Sequence, residues 1–131
     1  MLNEVRILKT LADETRLRII LLLREKELFV CQLMAVTGLS QSLVSRNLAL
    51  LERDGLLASR RQGKHVFYRL QSEIPVLGRA VLDALAAPGK RAVNFANDRA
   101  NLRLFCKRFQ RGGACDMSMV QEFIVFKNQK Q

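Results

Sequence analysis

Two sets of side chains in this 131-residue chain carry recognisable chemistry. The first is Gln41, Ser42, Ser45 and Arg46. On a helix of about 100° per residue they share one arc with Ala49 and Arg53, and Leu43, Val44, Leu48, Leu50 and Leu51 fill the opposite arc. Short side chains let a helix backbone approach a nucleic-acid groove. Gln41 and Arg46 have the reach and donors for base edges, and Ser42 and Ser45 can bond phosphates or bases. Asn47 falls inside the apolar arc and reads as a structural polar group. The second set is Cys31, Cys106 and Cys115. An odd number without secretory context argues for reduced thiols that serve as core filler, ligands or redox centres, and against a disulfide framework.

Enzyme chemistry finds little to use. The single histidine, His65, sits in a hairpin pattern, carboxylates are few, and the glycines end elements where a phosphate-cradling loop would need them clustered after a strand. The chain is therefore read as a non-enzyme.

The elements that must hold these residues follow from periodicity. Leu2 to Leu11 has helical spacing, and Asp13 reads as the N-cap of a second helix running to about Arg24. Phe29 to Thr37 reads as a third helix closed by Gly38. Ser40 caps a fourth that reaches about Asp54, stopped by Gly55. Two helices joined around a glycine form the helix-turn-helix pattern. Leu57 to Arg61 and Val66 to Leu70 are strand-like, with Gln62-Gly63 as a two-residue turn, so a hairpin follows the fourth helix as a wing. Arg60, Arg61 and Lys64 around its turn suit phosphates or a narrow minor groove.

Ile74 to Ala87 describes a fifth, apolar helix ended by Pro88-Gly89, with more apolar surface than so small a core requires. A homodimer that pairs the N-terminal helix with this post-wing helix is the economical use for it, with intrachain packing as the alternative. Arg91 to Gln110 reads as a sixth helix, with Phe95, Leu102, Phe105 and Phe109 on one face and a basic stripe of Arg99, Arg103, Lys107 and Arg111 on another. That stripe either contacts flanking DNA or only keeps a helix soluble. Met117 to Phe126 is apolar enough to be ordered as a strand or a packed helix. The expected architecture is mainly α with a small β-hairpin, a winged helix-turn-helix over residues 1–87 for DNA binding and dimerisation, and a C-terminal helical extension and tail over 88–131 packing on the same domain.

Composition points the same way. The formal net charge is +10, which makes a polyanion the natural partner. The excess is concentrated: residues 40–70 hold six basic and two acidic residues, and 88–111 hold seven and one. The longest aliphatic run, Ile19 to Leu23, is far too short to span a bilayer, and Glu4, Arg6 and Lys9 break any apolar leader. A cytoplasmic location without membrane attachment is expected.

Several motifs in order carry a resemblance. Leu11-Ala12-Asp13-Glu14-Thr15-Arg16-Leu17-Arg18-Ile19, then Gly38-Leu39-Ser40-Gln41-Ser42-Leu43-Val44-Ser45-Arg46-Asn47-Leu48, then Arg60-Arg61-Gln62-Gly63-Lys64 and Tyr68-Arg69-Leu70 resemble the ArsR/SmtB family of bacterial repressors, over roughly residues 5 to 86. The resemblance implies a homodimer through the first and fifth helices, a fourth helix in the major groove, and an effector that weakens operator binding. It puts the DNA contacts at Gln41, Ser42, Ser45 and Arg46, the arc already selected by projection. Asn47 stands where many members have His.

Many members sense metals or metalloids at a Cys-x-Cys pattern on the third helix. This chain reads Glu27-Leu28-Phe29-Val30-Cys31-Gln32-Leu33 and keeps only the second cysteine. A fifth-helix zinc site would need histidine, and His65 lies on the wing. What remains is thiol chemistry: Cys106 and Cys115, with or without Cys31, as soft ligands for trivalent arsenic. The alternatives are a redox switch in which two thiols form a disulfide or persulfide, a non-thiol effector, or a nonspecific nucleic-acid-binding protein that uses only its basic stripes. Cys31 and Cys106 stay open between core and ligand.

Overall fold

The computed structural model describes residues 4–86, 95–108 and 122–125. In chain order the elements are α1 (Glu4–Leu11), α2 (Glu14–Glu25), β1 (Leu28–Phe29), α3 (Val30–Thr37), α4 (Gln41–Arg53), β2 (Leu57–Gln62), β3 (His65–Leu70), α5 (Val76–Ala86) and α6 (Phe95–Arg108). The predicted caps are in place. The Asp13 carboxylate accepts from the Arg16 N–H at 3.0 Å, and the Ser40 hydroxyl accepts from the Leu43 N–H at 3.2 Å, so each helix starts where an orphan donor finds a side-chain acceptor. Gly38 lies between α3 and α4 at φ 77°, a left-handed conformation that costs a side chain dearly and glycine little.

Three expectations need correction. Phe29 is not the first residue of a helix but its N-cap: its N–H donates to Gln32 Oε1 at 3.0 Å, and Leu28 and Phe29 form β1. This strand pairs antiparallel with β3, Leu28 against Tyr68 and Phe29 against Phe67, so the wing is the outer part of a three-stranded sheet in the order β1-β3-β2. The turn is also one residue later than expected. Gln62 pairs with His65, leaving Gly63-Lys64 as the loop, with Gly63 at φ 62° as primed hairpin turns demand. Finally, Ile74 precedes α5, although its side chain is buried.

The core is continuous. Ile19 to Leu23 of α2, Leu33 to Val36 of α3, and Val44, Leu48 and Leu51 of α4 are buried together with Ile7, Leu28, Leu56 and Leu82. α6 closes the assembly by packing on α2 and α3. Leu102 and Phe105 are its buried apolar residues, on the expected apolar face. Residues 122–125 form a helical turn, and the buried Phe123 meets Phe105 edge-on with ring centroids 5.2 Å apart. Of the two conformations open to the tail, these residues take the packed helix. Phe109 and Arg111 lie outside the described residues.

Candidate nucleic-acid interface

α4 is oriented by what it buries. Val44, Leu48 and Leu51 are fully inside, and Asn47 turns its amide back to donate to the Leu43 carbonyl at 2.8 Å, which makes it the structural polar group its position in the apolar arc suggested. The opposite side, Gln41, Ser42, Ser45, Arg46, Ala49 and Arg53, is exposed. Among the described residues Gln41, Ser45 and Arg46 make no hydrogen bond or ion pair with the rest of the chain, and Ser42 reaches only the Ser40 hydroxyl at 3.4 Å. Unbonded donors and acceptors on one face of a rigid helix are free to meet an external partner.

The C-terminal end of α4 is tied to α1. Asp54, 4% exposed, accepts from Arg6 at 2.7 Å and from the Thr10 hydroxyl at 2.7 Å, with the Arg53 guanidinium 3.5 Å away. Burial pushes the Asp54 carboxyl up. The bonds from Thr10 and Arg6 and the charges of Arg6 and Arg53 outweigh it and hold the group below the usual carboxylate range. In the sequence Asp54 marks only the approximate end of the fourth helix, which Gly55 stops. Its partners lie 44 and 48 residues away, beyond any local signal.

In the wing the three basic residues have different roles. Arg61 and Lys64 are exposed. Arg60 is occupied: it grips Glu27 with a forked set of bonds near 3 Å, reaches Gln62 Oε1 at 2.6 Å, and lies over the Phe67 ring 4.8 Å from its centroid. The Arg60 hydrogen bonds lower the Glu27 pKa despite some desolvation. His65 stacks on Phe29 with centroids 4.2 Å apart. These contacts brace the hairpin against the segment before α3 and set the angle at which Arg61 and Lys64 face outward.

The thiols separate. Cys31, in the first turn of α3, lines a cavity of about 280 Å3 with Gln41, Lys64, His65 and Tyr68. Cys106 lies on α6, its sulfur accepting from Lys26 Nζ at 3.6 Å. Both are free and partly buried, packed against the core. Cys115 lies outside the described residues. Among the described residues no cluster of three or more His, Cys, Asp or Glu side chains could hold a metal ion.

The basic stripe on α6 is not uniform. Arg99 is paired with Glu25, with its Nε at 2.6 Å, whereas Arg103 and Lys107 are exposed. Beside them, Asp98 is buried under Arg18, which contacts both its oxygens at 2.8 and 2.9 Å and also donates to the Thr37 carbonyl at 2.9 Å. The Asp98 bonds raise the already high Arg18 pKa against the opposing effect of burial.

A helix-turn-helix followed by a braced hairpin, with an exposed polar arc on its second helix, defines a winged helix-turn-helix DNA-binding protein. The model of the family described as "Bacterial regulatory protein, arsR family" matches residues 13–59. The arsenical resistance operon repressor of Escherichia coli (strain K12) is 50% identical over 80 residues, 60% of this chain and 68% of the relative. Arsenic resistance transcriptional regulator ArsR1 of Pseudomonas putida is 50% identical over 70 residues, 53% of this chain and 55% of the relative, so the chain spans little more than half of that protein. Among solved structures, reduced HlyU from Vibrio cholerae N16961 matches with a TM-score of 0.56 at 41% identity, covering 62% of this chain and 82% of that one. The chain belongs to the arsR family and is a DNA-binding transcriptional regulator.

Proposed function

We propose that the chain represses transcription as a homodimer on duplex operator DNA, with α4 of each protomer in the major groove. Gln41 and Arg46 read base edges, Ser42 and Ser45 bond bases or phosphates, and Arg61 and Lys64 hold the backbone from the wing. Arg60 joins them at the wing chiefly by fixing the hairpin angle through Glu27. The observation that carries this reading is the exposed arc of α4, on which the Gln41, Ser45 and Arg46 side chains have no partner among the described residues. The dimer is supported by apolar side chains that α1 and α5 leave in solvent: Val5 is 61% exposed, Leu8 45% and Val76 85%. As a binder of operator DNA the proposed repressor would work in the cytoplasm, and no helix among the described residues is long and apolar enough to cross a membrane.

The effector we assign is a thiophilic metalloid, trivalent arsenic, bound through Cys106 and Cys115 with Cys31 available as a third ligand. Support comes from relatives whose names refer to arsenic resistance, at 50% identity, and from the partial exposure of Cys31 and Cys106. Competition by unrelated duplex at moderate salt tests the first part: a specific complex survives if the arc reads bases, whereas a phosphate-driven binder loses preference and affinity together. Arsenite added under reducing conditions should then release the operator, and the Cys106→Ser/Cys115→Ser variant should bind operator normally without release. Release that is unchanged in that variant removes the thiol assignment.

A further inference from the structure

A cleft lies on the flank of α4 away from the wing. It has a volume of about 480 Å3 and is walled by the start of α2, with Asp13, Thr15 and Arg16, and by Arg46, Ala49 and Arg53 of α4. Three arginines therefore line one opening. Arg46 and Arg53 stand two turns apart on α4, and Ala49 between them leaves the floor clear of side chain. Arg16 is held at the opposite wall, because its Nε donates to the Thr10 carbonyl at 2.6 Å. Arg53 is 66% exposed with its Nε 3.5 Å from Asp54, so the group is steered but not covered. The one carboxylate in the lining, Asp13, is occupied in capping α2 through the Arg16 N–H. Glu14, exposed in the same turn, and Asp54, already bonded to Arg6 and Thr10, are the other nearby acidic groups.

Position decides what such a cleft receives. Arg46, Ala49 and Arg53 belong both to its wall and to the exposed arc of α4. Whatever α4 enters therefore brings its own edge to the cleft. The edge of a major groove is a sugar-phosphate strand, and a guanidinium fork matches phosphate oxygens in geometry and charge.

We infer that this cleft seats a backbone phosphate of the operator between Arg16 and Arg53, with the Thr15 hydroxyl as a further donor. α4 is thus anchored on both flanks: Arg61 and Lys64 hold one strand from the wing, and the α2–α4 cleft holds the other. This rests on the proposed docking of α4 and adds the side of the helix that the wing does not reach. Because a phosphate carries no sequence information, Arg53 and Arg16 set affinity and register, and discrimination among operators stays with Gln41 and Arg46.

The test is operator binding by the full chain as a function of salt, for the unmodified protein, Arg53→Gln and Arg16→Gln, with thermal denaturation of each. Each lost phosphate contact should flatten the log–log salt dependence by about 0.9, hence by about 1.8 for a symmetric dimer that loses two. Preference among base-substituted operators should not change. An unchanged slope in folded Arg53→Gln overturns the inference, and so does a preference relaxed at one base pair, which would make Arg53 a base reader. Since Arg16→Gln also removes the bond to Thr10, a second measurement avoids substitution altogether: methylphosphonate replacement of single phosphates in the duplex. One neutralised phosphate beside the groove should weaken the unmodified protein and leave Arg53→Gln unaffected, and no such position overturns the inference. Titration with inorganic phosphate that shifts the Thr15 amide while duplex does not would also overturn it, marking a small-anion site. If the unmodified protein forms no sequence-specific complex, the docking of α4 fails together with the cleft, an outcome recognisable because it needs no variant.

Discussion

The polar arc of α4 and the helix α6 both lie in basic regions of the chain, and they handle their polar groups differently. On α4, Gln41, Ser45 and Arg46 make no internal bond or ion pair among the described residues. On α6 the polar residues are largely used for docking. Asp98 takes Arg18, Arg99 takes Glu25, and the Asn101 amide approaches the Val36 carbonyl at 3.4 Å. Similar charge thus serves reception in one place and attachment in the other. What separates them is whether a complementary group from elsewhere in the chain arrives first, which no count of lysines and arginines reveals.

Predictions can break or sharpen that contrast. The largest effect should come from Asp98→Ala, which strands the Arg18 guanidinium in a site where the pair is 16% and 2% exposed. A loss of about 3–5 kcal/mol is expected by chemical denaturation, because removing one partner of a buried pair leaves the other uncompensated. A loss confined to operator affinity, with stability intact, would put α6 in the same role as α4. Next is Arg46→Ala, expected to cost about 1–3 kcal/mol of discrimination between operator and altered duplex, with an unchanged melting temperature. A comparable drop in stability would mean that the arc is structural after all.

A smaller effect concerns pH. The Asp54 carboxyl is held below its ordinary value in the folded chain, so its stabilising contribution is fully present above the normal carboxylate pKa of about 4 and is lost as pH falls through the lower folded value. Asp54→Asn should therefore flatten the acid limb of the stability curve, and an unaltered limb would show that the α1–α4 tie carries no weight. The smallest expected change is for Arg103→Gln/Lys107→Gln: the salt dependence of operator binding should match that of the unmodified protein. A flatter slope would make α6 a second DNA-binding surface and erase the contrast.

Much of the interface was legible before any coordinates. Helix periodicity singled out the exposed arc of α4, the caps at Asp13 and Ser40 announced two helix starts, and Asn47 was placed correctly because a polar residue in an apolar arc has few other options. The wing was visible as two alternating runs around a glycine. Its turn was misplaced by one residue, since Gln62 and His65 both suit a strand end and only the pairing across the ladder decides. β1 escaped notice because a two-residue strand has no periodicity of its own. It exists only because β3 lies beside it.

Amino-acid order alone determined the local facts: which segments coil, where the capped helices α2 and α4 begin, and which face of α4 is polar. These depend on interactions within a few residues, which the chain carries with it. Tertiary structure alone decided which charged groups remain available. Arg60 met Glu27, Arg18 met Asp98, and Arg6 met Asp54, across separations of 33, 80 and 48 residues. An ion pair is made by proximity in space, and only the folded core brings such distant positions together.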